Sequence, residues 1–378
     1  MKLKTFLLDH WIDEHADSSV EFNLAISTGP RWKMRELLTL AGEGALERLL
    51  EMDVVYSRSA GDTALREAIA GMEGVPAEDV VVVAGGAEAL LHIFFLAADP
   101  GANVILPFPC FPAFEALPQS LGLEVRSYHL RRENSYQVDF DEVKRLADAK
   151  TKLLLVNSPH NPTGATLSDE QMRLLHDFAA ARGIQFVSDQ VYHPIYHGRE
   201  TRSAAALPHA TVVGDFSKAF SLSGLRLGWL VEHDARRRRE YLNAREYFSI
   251  SNSPMTEFFA RIAVEHREKV LGRARDVTRA NLELLDAVFA EFSDVLEWVR
   301  PQGGTTGFPR IVSGADGRAF SEAAVRHGLL LAPGDCFGVR DHFRIGFGVG
   351  AEWYPRAMER FAEFLHAWAH SPRATMTA

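Results

Sequence analysis

A succession of short apolar runs, alternating with stretches of helical length, constrains this chain more than any other feature. The runs are VVVVAG (Val80 to Gly85), NVILP (Asn103 to Pro107), KLLLVN (Lys152 to Asn157), IQFVSD (Ile184 to Asp189), TVVGDF (Thr211 to Phe216) and LRLGWLV (Leu225 to Val231). A strand that is apolar on both faces must be covered on both faces, so the pattern predicts an α/β protein with a mainly parallel central sheet between layers of helices. One helix is signalled at both ends. Ser168 followed by Gln171 is a capping box, and Gly183 closes the stretch. After about Met255 the texture shifts to long charged helical stretches and shorter strands. At 378 residues the chain exceeds what one core usually holds. The expected division is an arm over residues 1–40 packing with a small domain, a large domain over 41–260, and the small domain over 261–378.

In an open parallel sheet, ligands gather beyond the carboxyl ends of the strands, so the polar residues there carry the functional reading. Gly85 and Gly86 stand between a strand and a helix, where free N–H groups and the helix dipole favour an anion. The spacing matches neither GxGxxG nor a Walker loop, and a plain tight turn would give the same residues. NSPHNPTG (Asn157 to Gly164) follows another strand and leaves Asn161 free to donate and accept. FVSDQVY ends its strand in Asp189, with Tyr192 three residues on. A carboxylate at a buried strand end is costly unless it meets a cation or a donor. GDFSKAFSLSGLRLGW (Gly214 to Trp229) then supplies Ser217, Lys218 and Arg226. A partly desolvated lysine is a nucleophile that forms Schiff bases. An arginine keeps its charge and presents a fork suited to phosphate.

The bulk numbers narrow the partners. Lys and Arg total 41 against 50 for Asp and Glu, a net charge of −9, which gives no footprint for nucleic acid. No stretch approaches the ~18 apolar residues of a membrane span, and the expected location is the cytoplasm. Cys110 and Cys336 have no metal or disulfide spacing and read as small buried residues. His193 and His197 lack a third ligand, so no metal is expected. His160 reads as structural, Arg236 to Arg239 as a solvated helix face, and EYFSISNSPMTEFF (Glu246 to Phe259) as core and inter-domain packing.

Taken in order, YSRSAGDTALREAIA, VVAGGAEAL, PFPCFPAF, NSPHNPTG, SDQVY, SKAFSLSGLRLG and FRIG resemble the motifs of the class I and II aminotransferases of fold type I, which use pyridoxal 5′-phosphate. The resemblance covers nearly the whole chain. It implies a large domain with a mainly parallel sheet, a smaller C-terminal α/β domain, and a homodimer with active sites at the interface. It also implies exchange of an amino group between an L-amino acid and a 2-oxo acid through a Lys218 Schiff base. Lys218 would then move the proton at Cα, Asp189 would hold the pyridine nitrogen protonated, and Asn161 and Tyr192 would bond the ring oxygen. Phe111 would stack on the ring where the family usually has Tyr or Trp. The phosphate would rest on Gly86, Ala87, Ser217 and Arg226, with Tyr56 reaching in from the neighbouring subunit. Arg344 would clamp the substrate carboxylate with Asn161 assisting, and Gly29 would lie nearby.

One residue departs from the pattern. Most members of the family have a hydroxyl three places before the lysine, and this chain has Asp215. A carboxylate beside a phosphate repels it, so Asp215 turns away, pairs with Arg226, or faces the substrate. In the last case it would meet a cationic side chain. The DFSK run resembles that of enzymes handling arginine-like amino acids, so the alternative reaction is a lyase, cyclase or oxidase/hydroxylase acting on arginine or a related amino acid.

Overall fold

The computed structural model describes residues 2–15 and 20–370. Its centre is a seven-stranded sheet of β1 (Val80–Val83), β2 (Asn103–Phe108), β3 (Glu124–His129), β4 (Thr151–Asn157), β5 (Gln185–Asp189), β6 (Ala210–Asp215) and β7 (Gly228–Glu232). The spatial order is β1-β7-β6-β5-β4-β2-β3. All neighbours pair in parallel except β7, which runs antiparallel to both β1 and β6. The mainly parallel sheet expected from the apolar runs is therefore present. Every residue of β1, β6 and β7 is buried, as strands covered on both faces require. β3 was not legible as an apolar run, because it is the edge strand. Glu124 and Arg126 pair with each other on its outer side, and only Tyr128 is buried.

Helices fill both faces. α2 (Gly86–Ala97) follows β1 directly, and α3 (Asp169–Ala180) begins at the expected capping box. There the Ser168 hydroxyl accepts from Gln171 N–H, while the Gln171 side chain accepts from Ser168 N–H at 2.9 Å. α4 (Pro254–Glu265) and the first half of α5 (Arg267–Glu291) pack onto the sheet's core through Phe258, Phe259, Val270, Leu271 and Ala274. The second half of α5, through Leu282, Leu285, Val288 and Phe289, joins another cluster built from C-terminal residues. That cluster includes β8 (Phe343–Gly346), which pairs antiparallel with Ala332–Pro333 and Thr306–Gly307.

The N-terminal segment lies against the C-terminal elements. Phe22–Asn23 pairs in parallel with Leu329–Leu330, and α1 (Leu7–Glu14) buries Leu8 and Trp11 against Phe308, Leu330 and Phe337. EYFSISNSPMTEFF, expected to be core and inter-domain packing, is core only at its end. Phe258 and Phe259 are buried, whereas Tyr247, Phe248, Ile250 and Met255 are exposed, Phe248 packing only in part against His92 and Phe95 of α2.

Candidate active site

Three polar residues close adjacent strands. Asn157 ends β4 directly opposite Asp189 at the end of β5, and Asp215 ends β6 beside them. They line a cavity of about 570 Å³ together with Gly86, Ala87, Phe111, Asn161, Tyr192, Ser217, Lys218, Arg226 and Arg344. Eleven of the thirteen residues singled out from the sequence thus meet in one place. Gly29 is not on the cavity wall. A Cβ there would lie 2.0 Å from Ser221 Oγ, so glycine lets this segment pass the loop after Lys218 while Ser27 and Thr28 reach the cavity. Tyr56 is 79% exposed and also does not line this chain's cavity.

Each side chain is placed by its neighbours. Asp189 is buried, and its carboxylate accepts from Asn157 Nδ2 at 3.2 Å and Val191 N–H at 3.2 Å. Burial, helped by the nearby charge of Asp215, pushes its carboxyl up to about 7 against the opposing pull of Val191 N–H and Lys218. Lys218 donates from Nζ to Ser27 Oγ at 2.8 Å. Arg226 donates to Ser217 Oγ at 3.4 Å and to the Ser223 carbonyl at 3.1 Å. Gly228 is required beside this turn, because a Cβ there would come within 2.7 Å of Gly214 O and 3.0 Å of Gly86 N. Gly224, by contrast, faces open space.

Arg344, on β8, is 2% exposed, yet among the described residues no carboxylate pairs with it. It donates to Asn161 Oδ1 at 3.1 Å and to the Ala25 carbonyl, and its Nε has no partner. Burial pulls its ionisation below the usual arginine range. Tyr192 Oη is likewise buried without a partner. A buried guanidinium with unused donors calls for an anion, and a buried phenol calls for a polar group.

The remaining candidates are accounted for locally. His160 bonds Thr163 Oγ1 at 2.8 Å, and burial lowers its ring to about 3. His193 meets Tyr196 Oη and His197 the Gly304 carbonyl. Among the described residues no group of three or more His, Cys, Asp or Glu could hold a metal ion. Arg237 and Arg238 in the RRRR run pair with Glu232 and Asp79. Sequence reasoning missed Ser27, Asn157, Phe6 and Asp9, all on the cavity wall. Asn157 could have been found as the first residue of NSPHNPTG. The others lie in the N-terminal segment, where nothing in the sequence tells which side of α1 or of the stretch after it meets the cavity.

The family model for class I and II aminotransferases matches residues 46–361. The chain belongs to that family. This aminotransferase is 30% identical over 339 residues to capreomycidine synthase of Streptomyces vinaceus, covering 88% of this chain and 86% of that protein. It is 31% identical over 337 residues to an arginine–pyruvate transaminase of Pseudomonas aeruginosa, covering 85% and 84%. Among solved structures it resembles a pyridoxal-phosphate-dependent aminotransferase of Streptococcus suis, with a TM-score of 0.92 and 25% identity over 98% of this chain and all of that one. The aminotransferase is an enzyme of fold type I, and its cofactor is pyridoxal 5′-phosphate. The residues present fit that group. They offer an amine for its aldehyde, a buried carboxylate for its ring nitrogen, an unpartnered phenol and an amide for its ring oxygen, and a helix N-terminus with a guanidinium for its phosphate.

Proposed function

We propose that the aminotransferase exchanges the amino group of an L-amino acid with a 2-oxo acid, with the cavity residues divided as follows. Bound pyridoxal phosphate supplies the carbonyl that takes the amino group and a ring that accepts the electron pair left at the substrate's Cα. Lys218 holds the cofactor covalently in the resting enzyme, and its amine moves the proton at Cα. Asp189 keeps the ring nitrogen protonated, and a cationic donor there relieves the cost of its buried carboxylate. Tyr192 Oη and Asn161 bond the ring oxygen, and Phe111 covers the ring face. Gly86 and Ala87 amides, Ser217 and Arg226 hold the phosphate. Arg344, with Asn161, clamps the α-carboxylate and so orients the Cα–H bond beside Lys218. Gly29 contributes by letting residues 25–28 reach the cavity.

The observation that carries this reading is Arg344, a buried charge with three unused donors on the wall of the same cavity as Lys218. Borohydride reduction of the holoenzyme followed by peptide mass mapping tests it. The reduced cofactor is expected on Lys218, and a Lys218→Ala variant that still turned over substrate would overturn the assignment.

A second reading concerns the substrate's side chain. Asp9 lines the cavity from α1, and among the described residues its carboxylate has no hydrogen bond or ion pair. A carboxylate at that wall, close enough to Arg344 to act on its charge but in no ion pair with it, favours a cationic amino acid, as does the similarity to an arginine–pyruvate transaminase. For such a substrate the same residues serve elimination, cyclisation or oxidation once the Cα proton has left. A panel of amino acids followed for 2-oxo acid, ammonia and oxygen separates these outcomes.

The proposed assembly is a cytoplasmic homodimer. Leu50, Val54, Val55, Tyr56 and Tyr247 form exposed apolar surface of the kind that marks a subunit interface. Tyr56 would extend from it to the partner's phosphate. Two buried free thiols, Cys110 and Cys336, suit a reducing compartment. The division into an arm (1–40), a large domain (41–260) and a small domain (261–378) belongs to the same proposal.

A further inference from the structure

The Asp215 carboxylate lines the cavity and is held by backbone donors rather than by an ion pair with Arg226. Its Oδ2 accepts from Gly86 N–H, the first residue of α2, at 2.6 Å, and its Oδ1 accepts from Ser217 N–H. Arg226 flanks the same turn without forming an ion pair with it. A Cβ built on Gly85 would lie 3.1 Å from Arg226 Nη2 and 3.4 Å from Asp215 Oδ2. The side chain that replaces the family's hydroxyl therefore accepts from backbone donors of the very cradle assigned to the phosphate.

Asp215 brings negative charge to this cradle before any ligand arrives. Around Asp215 are Asp189 from β5, which feels the charges of both Asp215 and Lys218, and Arg226, which meets the same turn at Gly85. α2 contributes N–H groups, because its Glu88 is turned to Ala84 N–H, Ser249 Oγ and the Arg245 guanidinium. β7 contributes Gly228, which carries no charge. Burial pushes the Asp189 carboxyl up to about 7, so Asp215 is the carboxylate that offsets the positive charge a phosphate dianion would otherwise meet from Lys218 and Arg226. Serine at position 215 would leave that positive charge unopposed at the cradle.

Two anions cannot accept from one N–H, and like charges this close cannot both stay ionised. We propose that Asp215 makes cofactor binding proton-coupled: the phosphate gains the Gly86 amide only as one proton from solution is taken up between the phosphate and Asp215, whose carboxyl then donates to the phosphate. This rests on the phosphate assignment above. A phosphate monoester loses its second proton near pH ~6, so above pH 7 the proton has to be acquired on binding. Cofactor retention then weakens about tenfold for each unit of pH, the slope for one linked proton. A hydroxyl at this position would carry no such linkage.

The test uses the full-length protein stripped of cofactor, with pyridoxamine 5′-phosphate and pyridoxamine as probes. The two share every titrating group except the phosphate, so their difference isolates the cradle. Calorimetry at pH 7.5–8.5 in two buffers of different ionisation heat is expected to show about one more proton taken up with the phosphorylated probe. The affinity ratio of the two probes should fall about tenfold per pH unit in the parent and stay flat in Asp215→Asn and Asp215→Ser. Equal proton counts for the two probes in the parent would overturn the proposal, whatever the variants do. So would an unchanged slope in Asp215→Asn. Equal affinity for the two probes at every pH would instead overturn the phosphate assignment, and the proposal with it.

Discussion

Replacing Arg344 by Gln removes the buried charge from β8 while leaving the phosphate side of the cavity untouched. A guanidinium carries five N–H donors. Arg344 spends one on Asn161 Oδ1 and one on the Ala25 carbonyl, which leaves three, including the unpartnered Nε–H. A carboxylate held by two of them gains two charge-assisted hydrogen bonds of ~1.5–3 kcal/mol each. Their loss, ~3–6 kcal/mol, corresponds to a fall on the order of 10² to 10⁴ in kcat/KM. The assay compares an amino acid with the amine that lacks its carboxylate, by spectral titration of the holoenzyme. The parent should prefer the amino acid by that factor, and Arg344→Gln should lose the preference while binding pyridoxal phosphate within about threefold of the parent. A variant that kept the parent's preference would refute the clamp, because the carboxylate would then be recognised elsewhere.

Three further outcomes are expected. Burial raises the Asp189 carboxyl of the cofactor-free protein from about 4 to about 7. Its contribution to stability is therefore full below pH ~4 and is lost as pH rises through 7, and Asp189→Asn should flatten thermal unfolding over that window; a parallel pH profile in the variant would contradict this. Gly228→Ala should destabilise by ~1–3 kcal/mol and weaken cofactor binding, because the new Cβ meets Gly214 O and Gly86 N; urea unfolding with cofactor titration measures both. Val54→Asp, at a site 80% exposed, should shift sedimentation from dimer toward monomer and lower cofactor affinity, since Tyr56 would no longer reach the partner; a dimer unaffected by the change would place the interface elsewhere.

The sheet was legible because strands buried on both faces write themselves as continuous apolar runs, and the site was legible because polar residues stand out where those runs stop. Asn161, Asp189 and Lys218 followed from that rule, whereas Arg226 precedes β7 at the start of LRLGWLV and was read from its neighbours in GDFSKAFSLSGLRLGW. β3 escaped it as an edge strand, whose outer side carries Glu124 and Arg126. Tyr247, Phe248, Ile250 and Met255 were misread as core because an apolar residue looks the same in sequence whether or not its own chain buries it. Ser27 and Asp9 depend on where the N-terminal segment, including α1, is laid across the cavity. The position of Asp215 depends on α2 beginning beside the end of β6, a contact between residues 129 apart in the chain. No local pattern encodes that meeting.

α5 has a consequence for how the molecule comes apart. Its 25 residues make a rod about 37 Å long, anchored in the sheet's core by Val270, Leu271 and Ala274 and in the C-terminal core by Leu282, Leu285, Val288 and Phe289. Neither core can melt without stripping half the apolar stripe of a helix the other needs. Denaturation is accordingly a joint event, and a packing defect as remote as Phe361 lowers the melting temperature of the ground on which Lys218 stands.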